Sequence, residues 1–170
     1  VNGMYQGAAF HFLRGFSSGN IGLMITPEGK MYTGGSNRGW GSWGTELDSV
    51  ERIDWTGKIP FEIHQMRARS DGFELTFTRP INPASAKPSS FSCSAYTYRY
   101  SKGYGSPELE NIDPEIEVVS VADDGLSLRI KLTPLTKGHV HELAAPGLRS
   151  IKGLPLLHET AYYTLNEIPQ

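Results

Sequence analysis

Two histidines, His139 and His141, stand two residues apart in GHVHEL. On a strand that spacing sends both side chains to one face. Two imidazoles on one face are where a zinc or copper site can start. A third ligand is required, and His158 or Glu142 supplies it only if the fold brings one of them close. The same doublet also serves as an ordinary structural pair. Tyr96, Tyr98 and Tyr100 alternate in AYTYRY, with Tyr104 just beyond, and predict a shared strand face. Exposed, such a row is a stacking platform for sugar rings, because each ring joins an apolar body to a polar tip. Buried, it is a sheet face packed on the first 55 residues, with its hydroxyls hydrogen-bonded at the edge. Asn37, Arg38, Trp40 and Trp43 lie in GGSNRGWGSWG. Glycines there let the backbone approach a ligand closely, and tryptophan beside arginine suits a sugar or an anion. The alternative is that the two tryptophans fill an interface between two segments.

Other chemistry finds less support. Cys93 is the single cysteine, so no intrachain disulfide forms. It alternates with Phe91 and Ala95, which predicts a buried apolar face rather than an activated thiolate. GFSSG at Gly15–Gly19 matches the G-x-S-x-G spelling, but it lies in a Gly/Ser loop with no amphipathic helix pattern after it, so no nucleophile elbow is read there. Glu108, Glu110, Asp113, Glu115 and Glu117 form an acidic stretch that lacks the D-x-D-x-D-G calcium loop and reads as a solvated face. A net charge of −2 with no basic cluster argues against a nucleic-acid groove. No apolar run is long enough to span a bilayer. The chain opens on Val1 rather than methionine and reads as a processed or excised fragment.

The elements that would position these residues read as strands throughout. In 170 residues there are 19 glycines and 11 prolines, a turn-rich composition. Ile21–Thr26, Met31–Thr33 and Ser49–Trp55 predict a small antiparallel meander with a turn at Pro27–Lys30. A boundary near Thr56–Pro60 divides the chain into residues 1–57 and 58–170. In the second part Phe73, Leu75 and Phe77 alternate with polar residues after a turn at Ser70–Gly72. Phe91–Tyr100 predicts a long strand, and Ser101–Pro114 a loop. Ile116–Val121 shifts its apolar phase at Val118–Val119, so it carries a bulge or buries both faces. Leu126, Leu128, Ile130 and Leu132 follow a turn at Asp123–Gly125. Val140–Ala145 and Ala161–Leu165 close the domain. About seven strands in roughly 110 residues is an immunoglobulin-like sandwich count.

Two resemblances follow from these stretches. DGFELTFTRPINPASA, VSVADDGLSLRIKL and GHVHELAAPGLRSIKGLPL make residues 71–157 similar to bacterial Ig-like domains of surface-layer and multidomain secreted proteins. SGNIGLMITPEGKMYTGGSNRGWG resembles one blade of a β-propeller. With NRGWG, TGKIPFEI, YGSPE and LLHETAYYTLN, the whole chain is similar to the C-terminal portion of secreted sorbosone and glucose dehydrogenase-like proteins that use pyrroloquinoline quinone (PQQ). That resemblance implies an all-β chain: an Ig-like antiparallel sandwich with an N-terminal propeller-blade-like segment. It implies no catalytic residue here, and no cofactor in this chain, with PQQ and calcium held by a parent protein. The expected function is a non-catalytic accessory or docking module, secreted or periplasmic. Its partners would be the remainder of its own propeller or a neighbouring domain. The alternative is a carbohydrate-binding module using the tyrosine and tryptophan surfaces.

Overall fold

The computed structural model describes residues 1–37 and 41–170, with Val119 described by its backbone alone. The strands among the described residues are β1 (Gly7–Phe10), β2 (Asn20–Ile25), β3 (Met31–Ser36), β4 (Asp48–Ile53), β5 (Ile63–Arg69) and β6 (Gly72–Phe77). They continue with β7 (Ser92–Thr97), β8 (Leu109–Ile112), β9 (Glu115–Val121), β10 (Ser127–Thr133), β11 (His139–Ala144) and β12 (Thr160–Leu165). The chain divides into two compact units, residues 1–11 with 60–170, and residues 12–59. All three sheets are antiparallel and none closes on itself.

The larger unit holds a five-stranded sheet, ordered β1-β12-β11-β7-β8, and a four-stranded sheet, ordered β5-β6-β10-β9. The alternation that made β6 and β10 legible also makes the core. Across that pair Phe73 faces Ile130 and Leu75 faces Leu128, each at most 1% exposed. The other sheet answers with Leu143, Ala161, Tyr163 and Leu165, all in the same buried cluster. The Phe73 ring lies 5.0 Å from that of Tyr163, so the two sheets meet face to face as a sandwich.

Several boundaries differ from those read in the sequence. Leu126, expected in the core, is 38% exposed. Its backbone N–H donates to Asp124 Oδ1 at 2.8 Å, which keeps it in the turn before β10 begins. The phase shift in β9 is a bulge: Ser120 faces Arg129 and Val118 faces Ile130, so the pairing skips Val119. The stretch read as a loop over 101–114 contains the edge strand β8. The largest difference is at the N-terminus. The sequence places residues 1–57 in one segment, whereas Gly7 to Phe10 pair with Thr164 to Ala161 and make β1 the edge of the sandwich sheet. Ala8 is small enough to pack on the core there.

The smaller unit is the meander β2-β3-β4. Among the described residues its buried groups are polar rather than apolar. Thr33 is 5% exposed and its hydroxyl lies 3.0 Å from Gly22 O and 3.1 Å from Asn20 Oδ1. The Ser18 and Ser49 hydroxyls are 2.7 Å apart. Gly35 is required by close approach, since a Cβ there would run into the Gly19 carbonyl.

Candidate functional site

His139 and His141 do share a face, and it is the core face of β11. His141 is fully buried, with its ring edge-on to Phe73 at 5.4 Å, and neither ring nitrogen has a hydrogen-bond partner. Burial pulls its pKa down to about 4, and the neighbouring His139 adds to that direction. His139 Nδ1 lies 3.2 Å from the Lys137 carbonyl oxygen. Its Nε2 is 3.9 Å from Glu110 Oε2, too far for a hydrogen bond. The structure does not bring the suggested third ligands to this pair. Glu142 points to the opposite face of β11, where it meets the Tyr162 hydroxyl at 3.4 Å, and His158 is held by Glu62 at 2.7 Å.

The tyrosines do not form one row. Strand β7 stops at Thr97, so only Tyr96 stands on it. Tyr96 is buried on the outer face of the sheet, opposite to Ala95 and Cys93, with the Tyr98 ring edge-on at 5.5 Å. Burial, then the Tyr98 contact, holds its phenol protonated well above the usual range. Tyr98 is half exposed, and Tyr100 and Tyr104 are fully exposed in the loop that follows. There Tyr98, Arg99, Tyr100, Ser101, Gly103, Gly105 and Ser106 line a shallow open hollow of ≈ 650 Å³. Of the four tyrosines expected on the platform, Tyr96 is therefore structural and the other three are exposed by half or more.

In the smaller unit, Arg38 and Trp40 lie outside the described residues. Trp43 is 98% exposed. Asn37 is occupied internally. Its Oδ1 accepts from Gly19 N–H at 3.0 Å, and its Nδ2 donates to Gly44 O at 2.9 Å and Glu46 O at 2.7 Å. These bonds use both N–H donors of the amide and one lone pair of its oxygen.

Cys93 is buried as its alternation predicted, and burial pushes its thiol up to about 12. The acidic stretch is spread along β8, β9 and the turn between them. Glu110 there has φ 54°, an uncommon conformation for a residue with a side chain.

One constellation escaped the sequence reading. Glu62 binds His158 twice, through ring Nδ1 at 2.7 Å and backbone N–H at 3.1 Å. The His158 ring is stacked on that of His11 with centroids 6.2 Å apart, and Tyr162 lies 6.3 Å from His11. Glu62 and His158 are separated by 96 residues, so no local spacing joins them.

No family model and no curated protein matches the chain. Among solved structures the fold is similar to the crystal structure of the S-layer protein rSbsC(31–844), with TM-score 0.50 and 23% identity. The match covers 66% of this chain and 14% of that one. Surface layer protein SbsC, domains 1–6, gives TM-score 0.47 at 23% identity, covering 66% and 14% of the two chains. The N-terminal part of SbsC gives 0.48 at 21%, covering 66% and 25%. At such identities the likeness is one of fold. It overturns the resemblance to the PQQ-dependent dehydrogenase propellers, because the neighbours are S-layer fragments and nothing carries the dehydrogenase likeness. The stretch behind it, IGLMITPEGKMYTGGS, is a plain hairpin: β2 and β3 joined by a turn at Pro27–Lys30. Any tight hairpin wants proline and glycine there. With that resemblance goes the ground for quinone and calcium in a parent protein.

Proposed function

We propose that the chain is a non-catalytic, immunoglobulin-like β-sandwich module of a secreted or cell-surface protein built from several domains. The observation that carries this reading is the fold match itself, over 66% of this chain and only 14% of an S-layer protein. One module among many is the relation such coverage suggests. The use of polar groups agrees with it. His141 sits in the core, Cys93 is buried, and Asn37 is spent on loop closure. The module's partners are then neighbouring domains, and its work is to hold them at a distance. Protease shaving of intact cells, read by antibody against this module, tests the setting. Loss of the signal without lysis is expected, and a module protected until the cytoplasm is opened would overturn the reading.

A second reading, carbohydrate binding, is favoured by one observation. Tyr98 and Tyr100 are exposed on a hollow that also offers Arg99 and four small residues. Aromatic faces with a few polar groups suit a saccharide. Titration with a panel of cell-wall oligosaccharides, followed by tyrosine fluorescence and calorimetry, checks it. Saturable binding lost in Tyr98→Ala and Tyr100→Ala supports it. No binding across the panel, or binding indifferent to both substitutions, removes it.

A further inference from the structure

The geometry points to a surface site for one divalent transition-metal ion of the zinc or copper kind, held by His158 and His11 and backed by Glu62. The argument begins with the tautomer. A carboxylate only accepts, so the 2.7 Å contact with Glu62 Oε1 requires His158 Nδ1 to carry the proton. In the neutral ring the lone pair is then on Nε2, the nitrogen that a metal takes. A carboxylate behind the far nitrogen of a metal-binding histidine fixes the ring and raises its basicity.

The clamp is also rigid. The second Glu62 oxygen accepts from the His158 backbone at 3.1 Å, and Glu62 N–H donates to Thr78 Oγ1 at 2.9 Å. Leu157 N–H donates to the Phe61 carbonyl at 3.0 Å, which joins the two segments again one residue earlier on each side. Glu62 and His158 are each about four-fifths buried, with side-chain exposures of 18% and 20%. An ion–dipole clamp of this kind, locking an imidazole with its free nitrogen at the edge of the burial, is more than a sheet corner requires.

The second imidazole directly follows β1. Phe10 is in register with Ala161, so His11 lies beside the approach to β12 with an exposed side chain. The two rings are stacked, with 29° between their planes and 6.2 Å between centroids. With Zn–N near 2.0–2.1 Å, two imidazoles on one tetrahedral ion hold their centroids roughly 5 Å apart, so His11 must turn its ring as well as move by about 1 Å, a change that an exposed side chain allows. Nitrogen ligands of this type select zinc, copper and nickel over magnesium and calcium. The described residues hold no preset group of three His, Cys, Asp or Glu ligands, so water completes the shell. The site is independent of the module reading: a cell-surface or an intracellular sandwich would carry it equally.

Calorimetric titration of the whole chain with Zn²⁺ near neutral pH tests it, with circular dichroism on every variant to confirm folding. One saturable ion per chain is expected, with little response to Mg²⁺. His11→Ala, an exposed change that leaves the clamp intact, and His158→Ala should each weaken binding at least tenfold. Glu62→Gln should weaken it by roughly 10-fold or more, as loss of an outer-shell carboxylate does. His64→Ala should leave it unchanged. Absence of saturable Zn²⁺ binding, or binding indifferent to His11→Ala, overturns the proposal, as does binding that depends on His64.

Discussion

His141 carries an imidazole into the core with neither nitrogen bonded, and that has a consequence for pH. Its folded pKa is about 4 against an ordinary 6.5, so between those values the unfolded chain binds the extra proton. Stability is therefore full above about pH 6.5 and falls as the pH is lowered towards 4, by an amount on the order of 3 kcal/mol. The groups facing His141 are aromatic or weakly placed: Phe73 and Tyr163 from the packed layers, His139 on its own strand. None offers a charge to hold an imidazolium. Urea melts between pH 4 and 7 should show this slope, and His141→Leu should flatten it. An unchanged slope in that variant would assign the acid sensitivity elsewhere. Cys93 gives the second prediction at this scale. With its thiol pushed up to about 12, it should resist a disulfide reagent at pH 8 in the folded chain and react at once in denaturant. Rapid labelling of the native protein would show a looser sheet than the one described. The burial of Cys93 was legible, because alternation names the face of a strand residue, and for the two histidines the same alternation named a shared face. What alternation does not say is whether that face meets a ligand or a core, and for His139 and His141 it met the core.

At the scale of the element, the period of two was reliable inside strands and failed at their ends. Leu128, Ile130 and Leu132 are buried as read, while Leu126 continues the same arithmetic past the point where the chain stops being a strand. Leu128→Ala should cost roughly 2–5 kcal/mol and Leu126→Ala well under 1 kcal/mol. Equal losses would mean that the strand begins earlier. The tyrosines failed for the same reason at the other end of a strand, since β7 closes one residue after Tyr96. Strand β8 was missed because LENI has no alternation to see and is made by its pairing with β7 at Ala95 and Thr97. In the smaller unit the glycine-rich stretch was read for a ligand contact, and the amide of Asn37 is found holding three main-chain groups. Asn37→Ala should destabilise the β2-β3-β4 meander by about 1–3 kcal/mol, because three main-chain groups lose their partner. Amide exchange confined to residues 12–59 would report it, and a variant with unaltered protection there would return Asn37 to the list of free contacts.

At the scale of the molecule, the chain enters the sandwich, leaves it for residues 12–59 and returns at Pro60. No composition shift marks the first crossing, because it falls between His11 and Phe12, inside the apolar run GAAFHFL and before the Gly/Ser stretch at residues 15–19. The pairing of β1 with β12 spans most of the sequence and is invisible to any local pattern. It makes a division at residue 57 unsuitable for isolating the sandwich. A chain starting at Pro60 lacks β1, and the outer edge of β12 is then a row of unpaired backbone groups, an open template for association. It also loses Ala8 from the core and His11 from the side of His158. Removing only residues 12–59 has a different effect. Strand β1 lies beside β5 as well as pairing with β12, so its end stays near the point where the chain returns. A Gly/Ser linker of about ten residues, with an end-to-end distance of roughly 17 Å, should rejoin His11 to Pro60 without strain. The rejoined chain should be monomeric and melt cooperatively, whereas residues 60–170 alone should melt lower and self-associate in light scattering. If the two behave alike, the edge strand contributes little and the sandwich is complete without it. If the rejoined chain alone fails to fold, residues 12–59 are part of what stabilises the larger unit rather than an insertion into it.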